Sequence, residues 1–218
     1  MPRPRTFDET EVIAAARDVF WTRGYTATSV DDLSAATGLG KGSIYGAFGD
    51  KRRLFLRALQ DQIAANDATV RAQLRDPGLP ARDRLVNHLR AQAKAVAADR
   101  SRRGCMLAKS AAELATTDDA VRRAVEGCYA RWRAELIACI KQAQRDGEID
   151  AGQNPQALAT TLLAFLRGLE ALRKGGAGPA QLKAAAEQMI ALLPPGRASG
   201  TKARRHGNKT GRAGAASS

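Results

Sequence analysis

The stretch Thr28-Ser29-Val30-Asp31-Asp32-Leu33-Ser34-Ala35-Ala36-Thr37-Gly38-Leu39-Gly40-Lys41-Gly42-Ser43-Ile44-Tyr45-Gly46-Ala47-Phe48-Gly49-Asp50-Lys51 decides the fold. Thr28 or Ser29 caps a short helix, and Asp31 and Asp32 suit its positive end. Val30, Leu33 and Ala36 face inward on it. Thr37-Gly38-Leu39 is a tight turn, with Gly38 free to take the left-handed conformation that strains most residues. A second short helix runs from about Lys41 to Phe48, with Lys41, Ser43 and Tyr45 on one side and Ile44 and Phe48 on the other. Two helices so arranged can set a polar face in the DNA major groove while an apolar face anchors on a third helix.

The third helix is legible just upstream. Asp8 to Arg23 carries Val12, Ile13, Ala16, Val19 and Phe20 at three- and four-residue spacing, and Gly24 ends it. Downstream, Gly49-Asp50 recaps the chain for a long helix from Lys51 to about Arg75, stopped by Asp76-Pro77-Gly78. Further helices are expected from Pro80 to about Asp99, Cys105 to Ala115, Asp118 to about Arg145, Pro155 to Lys174 and Pro179 to Leu193. Asn154-Pro155 is a cap followed by a first-turn proline, and Pro194-Pro195 ends the series. The fold class is all-α, with about nine helices and no convincing strand. Three units are expected: a helix-turn-helix head over 1–49, a sensing and dimerisation body over 50–193, and a disordered basic tail over 194–218.

Composition agrees. The chain has 218 residues, 44% hydrophobic but only 5% aromatic, and much of the apolar content is alanine, which favours packed helices over a sheet. Its three cysteines form no CxxC pair, so a disulfide framework is excluded and a reducing, cytoplasmic setting is expected. No apolar run reaches the length of a membrane span. The formal charge is +13, yet residues 1–50 hold five basic against seven acidic side chains. Recognition of nucleic acid there depends on which groups point at phosphate, not on bulk charge. GxSxG, P-loop, HExxH and paired-cysteine metal motifs are all missing, so neither an enzyme nor a metal or cofactor site is expected.

Over residues 8–55 the chain resembles the TetR family of transcriptional regulators, through Phe20, Gly24, Tyr25, Thr28, Gly38, Gly42, Tyr45, Phe48 and Lys51. It departs at Ala47, next to Gly46, in a region where many relatives carry histidine. The resemblance implies a homodimeric repressor of a palindromic operator, released by a small-molecule inducer. It also implies a four-helix dimer bundle from the last two helices of each subunit. Here that bundle would use Leu158, Leu162, Phe165, Leu166 and Leu169, then Leu182, Met189 and Ile190. An intramolecular helix pair is the alternative use of the same residues. The alternative function is an architectural DNA-binding protein of little sequence preference, which suits the charge but not a long, non-basic helical body.

Double-stranded DNA is the expected partner. Tyr45 offers a hydroxyl to phosphate and a ring to a sugar or thymine methyl, Lys41 reaches phosphate or guanine, and Ser43 is short enough to touch a base. Gly40 and Gly42 let the backbone approach closely. Thr28 and Ser29 sit at a helix start suited to phosphate, and Lys51 opens a helix where a cation is poorly placed unless a phosphate faces it. Arg3 and Arg5 alternate with prolines in an extended arm, either lying in a minor groove or solvated. In the body, Glu113, Tyr129, Trp132, Arg133 and Phe165 are candidate walls of an inducer site. Cys105 follows Arg102-Arg103-Gly104 at a helix start, which favours thiolate and a reactive switch; a small packed residue is the alternative. The segment from Arg103 to Leu114 is similar to the family branch containing the repressor of N-ethylmaleimide reductase, where a matching cysteine senses electrophiles or oxidants.

Overall fold

The computed structural model describes residues 7–196. Arg3, Arg5 and the tail from Arg197 onward lie outside the described residues. Nine helices are present among the described residues: α1 (Glu9–Arg23), α2 (Val30–Thr37), α3 (Lys41–Phe48), α4 (Lys51–Leu74), α5 (Ala81–Ala98), α6 (Met106–Leu114), α7 (Asp119–Arg145), α8 (Pro155–Lys174) and α9 (Pro179–Ala191). The all-α class holds, and each expected helix starts and stops within about two residues of its punctuation.

The caps explain the boundaries. Asp8 accepts from the Thr10 amide at 2.7 Å to start α1. Ser29, rather than Thr28, caps α2: its hydroxyl accepts from Asp32 N at 3.1 Å, while the Asp32 carboxylate accepts from Ser29 N at 2.9 Å. Gly38 closes α2 at φ 70°, ψ 6°, in the left-handed region. Val30 is only half-buried and Ala36 is exposed, so Leu33 alone carries the buried face of α2.

Two apolar clusters organise the packing. The first joins Phe20 of α1, Leu33 of α2, Ile44 and Phe48 of α3, the first half of α4, Met106 and Leu107 of α6, and the start of α7 through Cys128. Phe20 and Phe55 meet edge to face at its centre, centroids 5.1 Å apart. The second joins the end of α4 to α5, the rest of α7 from Trp132, α8 and α9. Both α4 and α7 run through both clusters, so neither can tilt without disturbing the three-helix head.

The expected dimer residues need correction. Leu162, Leu166 and Leu169 of α8 and Leu182 and Ile190 of α9 are buried within one chain, against α5 and α7. They face the intramolecular core because α8 and α9 must cover it. Leu158, Phe165 and Met189 are partly exposed at its edge. On the outer side, Ala164 is exposed, Gly168 has open space where a side chain would stand, and Leu172 and Leu192 are 56% and 65% exposed.

Candidate functional site

Helix α3 is anchored from below and bare above. Ile44 and Phe48 are buried, four residues apart, in the first cluster. Lys41, Gly42, Ser43, Tyr45 and Gly46 are exposed, and Tyr45 is 47% exposed without ring contacts to the core. A Cβ added at Gly38, Gly40, Gly42 or Gly46 would meet nothing within 4 Å. Internal packing therefore does not require these glycines. Gly42 and Gly46 each cost about 1 kcal/mol of helix stability relative to alanine.

Several expected contacts are already engaged. Lys41 Nζ lies 2.6 Å from Asp31 Oδ1, which raises the lysine pKa; both side chains are exposed, so phosphate can compete for Lys41. The Thr28 hydroxyl is turned away from the surface: the residue is 1% exposed and donates to Gly24 O at 2.5 Å. Its expected side-chain contact with phosphate is corrected accordingly. Ser29 is exposed, with its hydroxyl in the α2 capping box. Lys51 Nζ donates to Tyr25 O at 3.1 Å and Thr28 O at 2.9 Å and stands 4.3 Å from the Tyr25 ring centroid. Those carbonyls account for its unfavourable place at a helix start, and one of its three N–H donors is left over.

The body grips the head through α6. Lys109 Nζ donates to Trp21 O at 2.7 Å and Thr22 O at 3.0 Å, a cation on the carbonyl end of α1. Glu113 Oε2, four residues on, accepts from Tyr25 N at 2.8 Å and Thr26 N at 3.1 Å. Glu113 is therefore a link between body and head, not an inducer wall. Trp21 Nε1 donates to Gly104 O at 2.7 Å, and Arg103 stacks over the Trp21 ring at 4.2 Å. Within the body, Arg52 in the first turn of α4 and Asp118, the cap of α7, form a bidentate pair at 2.6 and 2.9 Å.

A cavity of about 480 Å³ opens between α1, α4, α5, α6, α7 and α8. Of the candidate wall residues Trp132 lines it; so do Cys105, Trp21 of the head, Gln73 and the arginines 103, 167 and 173. Arg133 is exposed elsewhere on α7, and Phe165 packs at the edge of the second cluster. Neither lines the cavity, because the neighbouring Trp132 and Arg167 take the inward positions on their helices. Tyr129 touches it only indirectly, its hydroxyl 3.9 Å from Cys105 Sγ.

Cys105 is half-buried and does not have the acidic thiol expected at a helix start. Burial, then Glu170, pushes its pKa up; Arg167, whose Nη1 donates to the sulfur at 3.2 Å, only partly opposes this. Burial also raises the Tyr129 and Glu170 pKa values. His88 is fully buried, with Trp132 Nε1 donating to its Nε2 at 3.1 Å and its Nδ1 2.7 Å from Gln73 Oε1. Among the described residues no cluster of side chains suits a metal ion, and no helix is long and apolar enough to cross a membrane.

Fold and site together define an all-helical protein with a helix-turn-helix head and a cavity-bearing body. Residues 12–58 match the model of the bacterial regulatory proteins of the tetR family, and residues 81–189 match that of the tetracyclin repressor-like C-terminal domain. The chain belongs to the TetR family, whose members are DNA-binding transcription regulators and not enzymes. It is 28% identical to the transcriptional repressor DhaR of Mycobacterium sp. (strain GP1), over 75% of this chain and 81% of that protein. A cysteine mutant of the TetR family regulator CifR, solved with 26-bp double-strand operator DNA, superposes with TM-score 0.78. It is 29% identical and covered over its whole length by 88% of this chain. The reduced form of NemR from E. coli also has TM-score 0.78, over 87% of this chain and 98% of that one; at 18% identity it agrees in fold alone.

Proposed function

We propose that this protein is a transcriptional repressor that grips a palindromic operator as a homodimer and lets go when a small molecule fills its cavity. The observation that carries the DNA reading is the exposed outer face of α3, where Lys41, Ser43 and Tyr45 stand beside Gly40, Gly42 and Gly46, whose added Cβ would meet nothing within 4 Å. CifR bound to operator DNA supports the same use of the head. The functional division is a head over 1–49, a body over 50–193 and a basic tail from 194. Ser29 and Gly40, both exposed, stand at the interface, Thr28 supports it from beneath, and Lys51 contributes its remaining donor. Dimerisation uses the outer faces of α8 and α9, where Ala164 and Gly168 permit close approach and Leu172 and Leu192 are otherwise exposed apolar surface. Two-fold pairing sets the two α3 helices about 34 Å apart, or a multiple, to read successive major grooves.

Sensing is supported by geometry. Trp21 of α1 is part of the cavity wall, so a ligand there touches the head directly. Release through modification of Cys105 has less support, because burial and Glu170 hold its thiol protonated. The architectural alternative has no support in a cavity, a latch or a family of sequence-reading regulators.

Selection of genomic fragments with the purified protein, followed by footprinting, tests the reading. Protection of one short palindrome is expected; random coating of DNA would replace the repressor with the architectural protein. A variant separates DNA contact from fold. Gly46→Ala is expected to stabilise the free protein by about 0.5–1 kcal/mol, since helix propensity improves and the methyl meets open space. The same methyl should weaken operator binding by about tenfold or more, a cost of at least ~1.4 kcal/mol. Paired urea melts and anisotropy titrations check both signs; gain in both would take DNA off the α3 face.

A further inference from the structure

The cavity wall is unbalanced in charge. Three guanidinium groups, Arg103, Arg167 and Arg173, share it with two carboxylates, Asp99 and Glu170. Arg167 Nη1 is paired with Glu170 Oε2 at 2.9 Å. Arg103 has carboxylate oxygens of Asp99 and Asp18 only at 3.8 Å, beyond hydrogen-bond range. Arg173 is 7% exposed and donates to two main-chain carbonyls, Ala177 O and Asp99 O, both at 3.1 Å. Among the described residues no carboxylate lies within ion-pair reach of it. The Nε atoms of all three arginines are buried without an acceptor. A buried cation held only by neutral groups is costly, and a bound anion removes that cost.

The neutral groups are biased the same way. Trp132 Nε1–H occupies His88 Nε2, so His88 donates from Nδ1 to Gln73 Oε1, and Gln92 Nε2 reaches that oxygen at 3.5 Å. The acceptor of Gln73 is thus taken, and its NH₂ remains to donate into the cavity it lines. Met106, Leu107 and the Trp132 ring supply an apolar wall. We infer that the cavity takes a small organic carboxylate, its acid group at Arg103 and Arg173 and its apolar body toward Met106, Leu107 and Trp132. This rests on the reading that the cavity holds the effector. Arg103 also stacks on Trp21, so an acid bound to it draws on a contact of the head.

The test uses the full chain and a panel of acids from propionate to phenylpropionate, each beside its primary amide and its amine. Thermal melting reads binding, and anisotropy of a labelled operator fragment reads release. Several acids should raise the melting temperature where their amides and amines do not. The best acid should bind Arg173→Met and Arg103→Gln about tenfold more weakly, the loss expected for one charge-assisted hydrogen bond. Arg103→Gln keeps the test open if Arg173→Met does not fold. Amides or amines binding as well as acids, no acid binding, or unchanged affinity in Arg103→Gln would each overturn the carboxylate site. An acid that binds without releasing DNA removes the effector role and leaves the site; amides that bind and release DNA do the reverse.

Discussion

Gly24→Ala is expected to destabilise the protein by about 4 kcal/mol, with loss of operator binding at physiological temperature. Gly24 ends α1 at φ 89°, where an L side chain is strained, at a cost of about 1–2 kcal/mol. An alanine Cβ there would lie 2.0 Å from Glu113 Oε1. The carboxylate must move, and it then loses the Tyr25 and Thr26 amides it accepts from. Charge-assisted hydrogen bonds contribute about 1.5–3 kcal/mol each. Glu113→Gln separates the two effects, since it keeps an acceptor and leaves Gly24 alone; it should cost about 1–2 kcal/mol. Urea denaturation checks both. A Gly24→Ala protein as stable as the parent would mean that α6 does not grip the head.

Stability should also fall by about 3 kcal/mol as the solution is taken from pH 7 to pH 4, through His88. Burial, helped by the Arg167 charge, lowers its pKa from 6.5 to about 4. The folded chain therefore holds the ring neutral where the unfolded chain binds a proton. The stabilisation is complete above pH 6.5 and is lost as pH falls from there toward 4. Trp132 reinforces the neutral form by donating to Nε2, which a protonated ring could not accept. His88→Gln should be less stable at pH 7 and should lack this part of the pH slope. Parallel slopes for the two proteins in urea melts across that range would remove His88 from the balance.

Local features were readable from residue order alone. Gly24, Gly38, Asn154-Pro155 and Pro194 fixed where helices begin and end, and the Ile44–Phe48 spacing fixed which side of α3 is buried. Side-chain partners distant in sequence were not. Thr28 looks like a free hydroxyl until Gly24 O is seen beneath it, and Lys51 looks like a phosphate ligand until Tyr25 folds back over it. At Cys105 the helix start favours thiolate, but burial outweighs it, and burial is a tertiary quantity. Glu113 reads as a wall of an inducer site, and nothing in the residue order marks Lys109, four residues before it, although Lys109 holds the end of α1 and Glu113 the turn after it. One signal was available: Leu162, Leu166, Leu169 and Arg173 continue one stripe, so a cation stands where the pattern calls for an apolar side chain. Its burial follows from that stripe; the cavity beside it is formed by helices distant in sequence.

The outer face of α3 meeting duplex DNA, twice per particle, is tested most directly by crosslinking. A photoreactive benzoylphenylalanine in place of Tyr45 would be irradiated on the recovered operator duplex, with the same residue at the exposed Arg133 of α7 as control. Crosslinks from position 45 to both half-sites, none from position 133, and a mass of two or another even number of protomers per duplex are expected. Crosslinks from position 133 with none from position 45, or one protomer bound to one half-site at saturation, would contradict it.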